Sequence, residues 1–306
     1  MKTENFLDRR RFLGVVGLGT AAMALDLKAA TARHIATNVY PWMTFYRRSN
    51  REWNDERSRG IAEIAQTGIQ GFEPIAESPE QIDLLEPLLK KYQLEMRSLY
   101  VNSSLHEADR ASESIAEVHA ISIAAKGLGA EIVVTNPSPI RWGSPENKTD
   151  AQLEEQARNL ERLGSLLRDE GLRLAYHNHD AELRNGAREF HHMMLATSAR
   201  NVKLCLDAHW IYRGCGNSQV ALFDVLEHYG SRIIELHLRQ SVGGVWTESF
   251  SFDGDIDYRR LFTRVHELQR SPLLVLEQAV EEASPNTRTA LKAHKASYHS
   301  LREGLS

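Results

Sequence analysis

The sequence predicts an α/β protein built as a single (β/α)8 barrel, and three observations lead there. From residue 34 onward, short β-rich runs alternate with longer amphipathic stretches eight times. A strand followed by a helix, repeated, makes a parallel sheet, and eight repeats close it into a barrel. No Pro/Gly/Ser-rich linker or low-complexity segment interrupts the alternation, and 306 residues suffice for one such barrel.

The predicted strands are HIATNVY at 34–40, IQGFEPI at 69–75, EMRSLYV at 95–101, EIVVT at 131–135, LRLAYHNH at 172–179, VKLCLDAH at 202–209, RIIELHLR at 232–239 and PLLVLEQA at 272–279. Between them lie helical patterns such as EEQARNLERLGSLLRDEG at 154–171, whose apolar residues recur at helical spacing and whose Gly171 is a stop signal. Asp257, in GDIDYRRL, is expected to cap the helix that follows. The longest irregular stretch, 240–258, carries Trp246, Phe250 and Phe252 and is expected to fold over the mouth of the barrel.

Residues 1–32 are set apart as an export signal, leaving 33–306 for the barrel. Paired Arg9 and Arg10 followed by Phe12 and Leu13 resemble the twin-arginine pattern, an uncharged stretch covers 13–25, and Ala30, Thr31 and Ala32 form a small-residue cleavage site. The uncharged stretch is too short to anchor the chain stably in a bilayer. The mature chain is therefore expected to begin near Arg33 and to work in the periplasm or outside the cell, with the twin-arginine export machinery as partner of the precursor. Only Cys205 and Cys215 are present, and a bridge between them would need the chain to double back at once, so no disulfide is expected. A hydrophobic content of 42% and a formal net charge of −4 are ordinary for a soluble protein and leave no basic field for nucleic acid.

In a barrel of this kind, a polar residue at the carboxyl end of an apolar strand points to the active site. Four successive strands end that way: the fifth in His177 and His179, the sixth in Asp207 and His209, the seventh in His237 and Arg239, and the eighth in Glu277. Strand alternation puts His177 with His179, Asp207 with His209, and Glu235 with His237 and Arg239 on shared faces. Imidazoles and carboxylates gathered at a barrel axis lose hydration that a divalent metal replaces, and a mixed His/Asp/Glu shell suits Mn, Fe, Co or Zn better than an all-oxygen Mg site. His191 and His192 fall in a helix and are expected at the surface.

With these residues in view, the chain resembles the xylose-isomerase-like TIM barrels, the sugar phosphate isomerase/epimerase family. YHNHD at 176–180, LDAHW at 206–210 and GDIDYRRL at 254–261 followed by LLVLEQ at 273–278 carry the resemblance, which spans nearly all of 34–306. It implies one divalent metal ion, Mn, Zn, Co, Fe or Mg, bound by His177, Asp207, His237 and Glu277. The family commonly has Glu at the first of these positions, where this chain has His177. The resemblance also implies Glu277 and His179 as candidate bases, His209 and Arg239 as groups that protonate or hold oxygens, and Glu73, Glu182, Trp210 and Trp246 as substrate contacts.

The chemistry so implied is proton removal beside a carbonyl, with the resulting enediolate stabilised by the metal. The expected function is that of an exported, metal-dependent isomerase or epimerase of an unphosphorylated sugar or keto-sugar, since sugar phosphates are cytoplasmic and no GxxxxGK[ST] loop is present. A lyase or dehydratase of a keto-sugar or 3-keto-glycoside is the alternative, and a non-catalytic sugar-binding barrel a remote one. Replacing Arg9 and Arg10 together with Lys is expected to retain the precursor in the cytoplasm, because the export receptor reads the guanidinium pair rather than charge alone. Cell fractionation checks this, and normal secretion of the variant would remove the export assignment.

Overall fold

The computed structural model describes residues 33–306, so the expected export signal lies outside the described residues. Eight parallel strands follow one another around a single sheet: β1 (Ile35–Asn38), β2 (Gly71–Glu73), β3 (Ser98–Tyr100), β4 (Ile132–Thr135), β5 (Arg173–His177), β6 (Val202–Asp207), β7 (Ile233–Leu238) and β8 (Leu273–Leu276). β8 pairs with β1, and isolated parallel bridges from Gly71 to Glu95 and from Ile75 to Tyr100 bring β3 back towards β2, so the barrel is nearly closed. The fold is a single (β/α)8 TIM barrel, as the alternation predicts.

Each strand is buried on both faces, because helices cover the outside and side chains fill the inside. The helix Asp150–Asp169 shows how this is achieved. Thr149 and Gln152 cap its start reciprocally, Leu153, Ala157, Leu160, Leu163 and Leu167 face the sheet, and Gly171 at φ 77° turns the chain into β5. Among the described residues, no helix is long and apolar enough to cross a membrane. Cys205 and Cys215 are both free thiols.

The strands are shorter at their carboxyl ends than the apolar runs suggest. β6 stops at Asp207, whose side chain accepts from Trp210 N and starts the helix Ala208–Gly214. His209 is therefore helical, and strand alternation does not put it on the face of Asp207. β5 likewise stops at His177, two residues before His179.

The stretch 240–258 is ordered by the motif at its end. A short hairpin pairs Ser241–Val242 with Val245–Trp246. Asp255 accepts from Ser241 Oγ (2.7 Å), Gly243 N (2.9 Å) and Gly244 N (2.7 Å). Gly254 passes so close to Ser241 that a Cβ there would lie 2.6 Å from its carbonyl oxygen. Asp257 caps the helix Tyr258–Glu267 by accepting from Arg260 N, as expected. Tyr258 then turns its hydroxyl to the backbone of Arg239 just beyond β7, donating to its carbonyl at 2.6 Å and accepting from its N–H at 3.1 Å.

Tyr258→Phe leaves those two buried backbone groups without a partner. We expect it to lower stability by about 1–3 kcal/mol in urea unfolding, with the far-ultraviolet spectrum unchanged. A loss under about 0.5 kcal/mol would mean that the clamp carries no weight.

Candidate active site

The polar ends of β5 to β8 meet at the carboxyl end of the barrel because the strands are tilted. In register, His177 pairs with Cys205, Cys205 with Glu235, Asp207 with His237, and His237 with Val275, two residues before Glu277. The inward residues thus climb from strand to strand and converge. His177, Asp207 and His237 are fully buried, and Glu277 is nearly so.

His177 Nε2 and Asp207 Oδ2 face each other across 3.8 Å, and neither atom has a hydrogen-bond partner. On the other side, His237 Nδ1 stands 3.2 Å from Glu277 Oε2. One ligand atom from each of the four residues lies within 4.8 Å of the others. Atoms bound at about 2.1 Å to one small ion stand roughly 3–4 Å apart, so the set fits a divalent metal. Two nitrogens and two oxygens match the preferences of first-row ions, in agreement with the sequence. Burial lifts the Asp207 carboxyl to about 7 against the opposing pull of Arg239, while burial keeps His177 well below its ordinary value and hence neutral, as a ligand must be.

A layer of acid lies underneath. His237 Nε2 is 3.0 Å from Glu235 Oε1 and 3.0 Å from Glu73 Oε1. Glu73 accepts from Asn38 Nδ2 (2.7 Å) and Ser98 Oγ (2.6 Å) and, although burial opposes ionisation, His237 holds it below the usual carboxylate range. Burial and the charge of Glu73 push Glu235 far above that range. His237 thus faces the acids below through Nε2 and Glu277 on the cation side through Nδ1. Cys205, whose thiol burial raises well above its ordinary value, completes the layer 3.7 Å from Glu235 Oε1.

Above the four residues opens a cavity of about 380 Å³, lined by Tyr40, Ile75, Tyr100, Asn102, Trp142, His179, Asp180, Trp210, Arg239 and Glu277. Arg239 is almost fully buried between Trp246 and Trp210, its guanidinium 4.2 and 5.1 Å from their rings, and bonds Glu277 Oε2 at 2.8 Å and the Glu277 carbonyl at 2.9 Å. Its Nη1 has no protein partner. His179 is fixed by its backbone N–H, which donates to Glu182 Oε2 at 2.7 Å, and its ring packs edge-on to Trp142. Burial presses it down to about 4, so it is neutral at neutral pH, and its Nδ1 is unpartnered.

Not every expected contact reaches this cavity. Glu73 and Glu182, expected to touch substrate, are fully buried and turned to protein donors, Glu182 to Asn136 Nδ2 and the His179 N–H. Both support the site from behind. His209 is also fully buried and meets Ser241 Oγ at 2.9 Å, for the helical reason given above. Trp246 stands behind Arg239 and outside the lining. Of the two expected surface histidines, His191 is tied to the Tyr229 hydroxyl at 2.8 Å.

Other residues of the site carried no sequence signal that sets them apart. Tyr100 places its hydroxyl 3.4 Å from His177 Nδ1, and Trp142 comes from an irregular Pro-rich stretch. Asn178 was legible in part, as the middle of HNH. Its side chain bonds both the N–H and the carbonyl of Asp207, locking the ends of β5 and β6 together.

The model of the xylose isomerase-like TIM barrel family matches residues 61–299. The chain belongs to that family. Among curated relatives of this barrel, the inosose dehydratase of Clostridium perfringens is 25% identical over 268 residues, covering 77% of this chain and 86% of its own. Two solved structures share the fold. A xylose isomerase-like TIM barrel protein from Mycobacterium smegmatis, in complex with magnesium, has a TM-score of 0.69 at 15% identity and covers 90% of this chain and 99% of that one. D-Allulose 3-epimerase from Methylomonas sp., in complex with D-allulose, has a TM-score of 0.67 at 14% identity and covers 89% and 96%. The first of these three relatives is named as a dehydratase and the last as a sugar epimerase.

The two neighbouring imidazoles of YHNHD have different surroundings, and their variants are expected to differ. His177→Ala removes one of the four clustered ligand atoms and should lower metal content sharply, whereas His179→Ala should keep the metal and lose turnover. Metal titration of both purified variants checks this. Loss of metal only in His179→Ala would reverse the assignment.

Proposed function

We propose that this chain is a divalent-metal-dependent isomerase or epimerase of an unphosphorylated sugar or keto-sugar. The observation that carries the reading is His179: a neutral imidazole lining a cavity directly beside the His177, Asp207, His237 and Glu277 cluster. A divalent ion held by those four polarises a carbonyl as a Lewis acid when bound. His179 then takes the proton from the carbon next to that carbonyl, and the electron pair moves into the carbon–oxygen framework to give an enediolate. Arg239, on the same lining, donates to a substrate oxygen. Proton return from the His179 side to the adjacent carbon gives an isomer, and return to the original carbon from the Glu277 wall gives an epimer.

The lining supports an uncharged substrate. Arg239 is its one cation among the described residues, already paired with Glu277, and Asp180 adds a negative charge. On the strength of the amino-terminal pattern, we place the reaction in the periplasm or outside the cell. A second reading, elimination of a hydroxyl from the same enediolate, draws support from the inosose dehydratase relatives and from His177, which leaves Glu277 as the single carboxylate shared by cluster and cavity.

Metal-loaded protein incubated in D₂O with a panel of sugars and keto-sugars is expected to place deuterium on the carbon beside the carbonyl of one of them, followed by proton NMR. Chelation should abolish the exchange, and His179→Ala should slow it by about 10²–10⁴. Release of an unsaturated product would select the elimination reading. Absence of exchange with every member of the panel would overturn both.

A further inference from the structure

The cavity reaches further from the clustered ligands than one sugar ring needs. From His237 the rings step outward to His177, to His179 and to Trp142, with centroids 4.8, 4.7 and 5.0 Å apart. A pyranose spans about one such step. The last ring, the indole of Trp142, is 53% exposed, whereas Trp42, Trp53 and Trp246 are buried.

An exposed indole on a loose loop would mean little, but this loop is pinned along its length. Lys148, itself buried, donates to the Pro137 carbonyl at 3.1 Å and pairs with Glu189 at 2.7 Å. Arg184 donates to the Ser144 carbonyl at 2.8 Å, Arg188 to the Lys148 carbonyl, and Ser138 N to Ser103 O at 2.8 Å. Burying an ammonium is costly unless it is well paired, and here it fixes the loop that presents Trp142 to the cavity. The other large exposed apolar side chains, such as Leu84, Leu195 and Val220, are not in the lining of this cavity, which speaks for a ligand rather than a protein partner at its rim.

Resting on the sugar reading above, we propose that the cavity takes a two-ring glycoside of a keto-sugar, with the carbonyl-bearing ring against the clustered ligands and the second ring stacked on Trp142. The flat face of an indole matches the apolar C–H face of a pyranose or the face of an aromatic aglycone. Asp180 and Asn102, on the same lining, supply partners for hydroxyls. Because the indole is held in place before binding, little ordering is lost when the second ring arrives.

Calorimetric titration of the metal-loaded protein with methyl, phenyl and disaccharide glycosides tests this, using methyl β-D-glucoside and methyl β-D-galactoside against cellobiose, lactose and phenyl β-D-glucoside. At least one two-ring ligand is expected to bind tenfold or more tightly than its methyl counterpart. Trp142→Ala should erase that gain by weakening the two-ring ligand at least fivefold more than the methyl glycoside, and Trp142→Phe should restore part of it. Gain by a disaccharide identifies a sugar as the second ring, and gain by the phenyl glucoside alone identifies an aromatic aglycone. Two-ring ligands no tighter than methyl glycosides, or a Trp142→Ala variant that weakens both alike, would overturn the proposal. If single-ring sugars still exchange deuterium in that case, only the two-ring inference falls. If no sugar binds or exchanges, the functional reading falls with it.

Discussion

The upper end of the barrel depends on one histidine held between carboxylates. His237 meets Glu277 through Nδ1 and the Glu73 and Glu235 pair through Nε2. Breaking a buried pair of this kind costs about 3–5 kcal/mol, because the remaining charge keeps no partner. The ring can therefore neither turn nor tilt without stranding an acid above or below it. Since β7 pairs with β6 on one side and β8 on the other, its position also sets where Asp207 and Glu277 stand.

Charge explains the rest of the arrangement. His177 Nε2 and Asp207 Oδ2 are buried polar atoms without a hydrogen-bond partner, as are His179 Nδ1 and Arg239 Nη1 beside them. A protein that takes such care to satisfy Glu73 with an amide, a hydroxyl and an imidazole has no structural need for two orphans 3.8 Å apart. With His237 and Glu277 they form a set of ligand atoms within 4.8 Å of one another that fits a divalent cation. Arg239 answers the remaining negative charge from the side, kept there by two indoles and by the Tyr258 clamp on its backbone.

The division between inner and outer parts of the cavity follows from the same economy of partners. Near the clustered ligands the groups are polar, buried and fixed by second interactions, as reaction geometry requires. Towards the rim they are aromatic, and Trp142 is open to solvent but carried by a loop that a buried Lys148–Glu189 pair holds still.

Much of this was legible in the sequence, and the reason is periodicity. Strands buried on both faces read as apolar runs whatever surrounds them, so eight runs announced eight strands, and a His, Asp or Glu closing such a run stood out. His177, His179, Asp207, His209, His237, Arg239 and Glu277 could be named for that reason, the family resemblance singled out four of them as ligands, and Asp257 could be read as a helix cap from local chemistry alone. Glu73, Glu182 and His209 could not be placed, because whether a side chain faces the cavity or the wall behind it depends on where each strand stops and how the barrel is sheared. Those are properties of eight strands together: β6 ends at Asp207 because that carboxylate caps a helix, which carries His209 away, and the tilt of the strands sends Glu73 beneath His237 rather than into the cavity. Trp142 lies in a segment without periodicity, and only the tertiary contacts of Lys148 and Arg184, distant from it or from each other in the chain, decide where its ring is held.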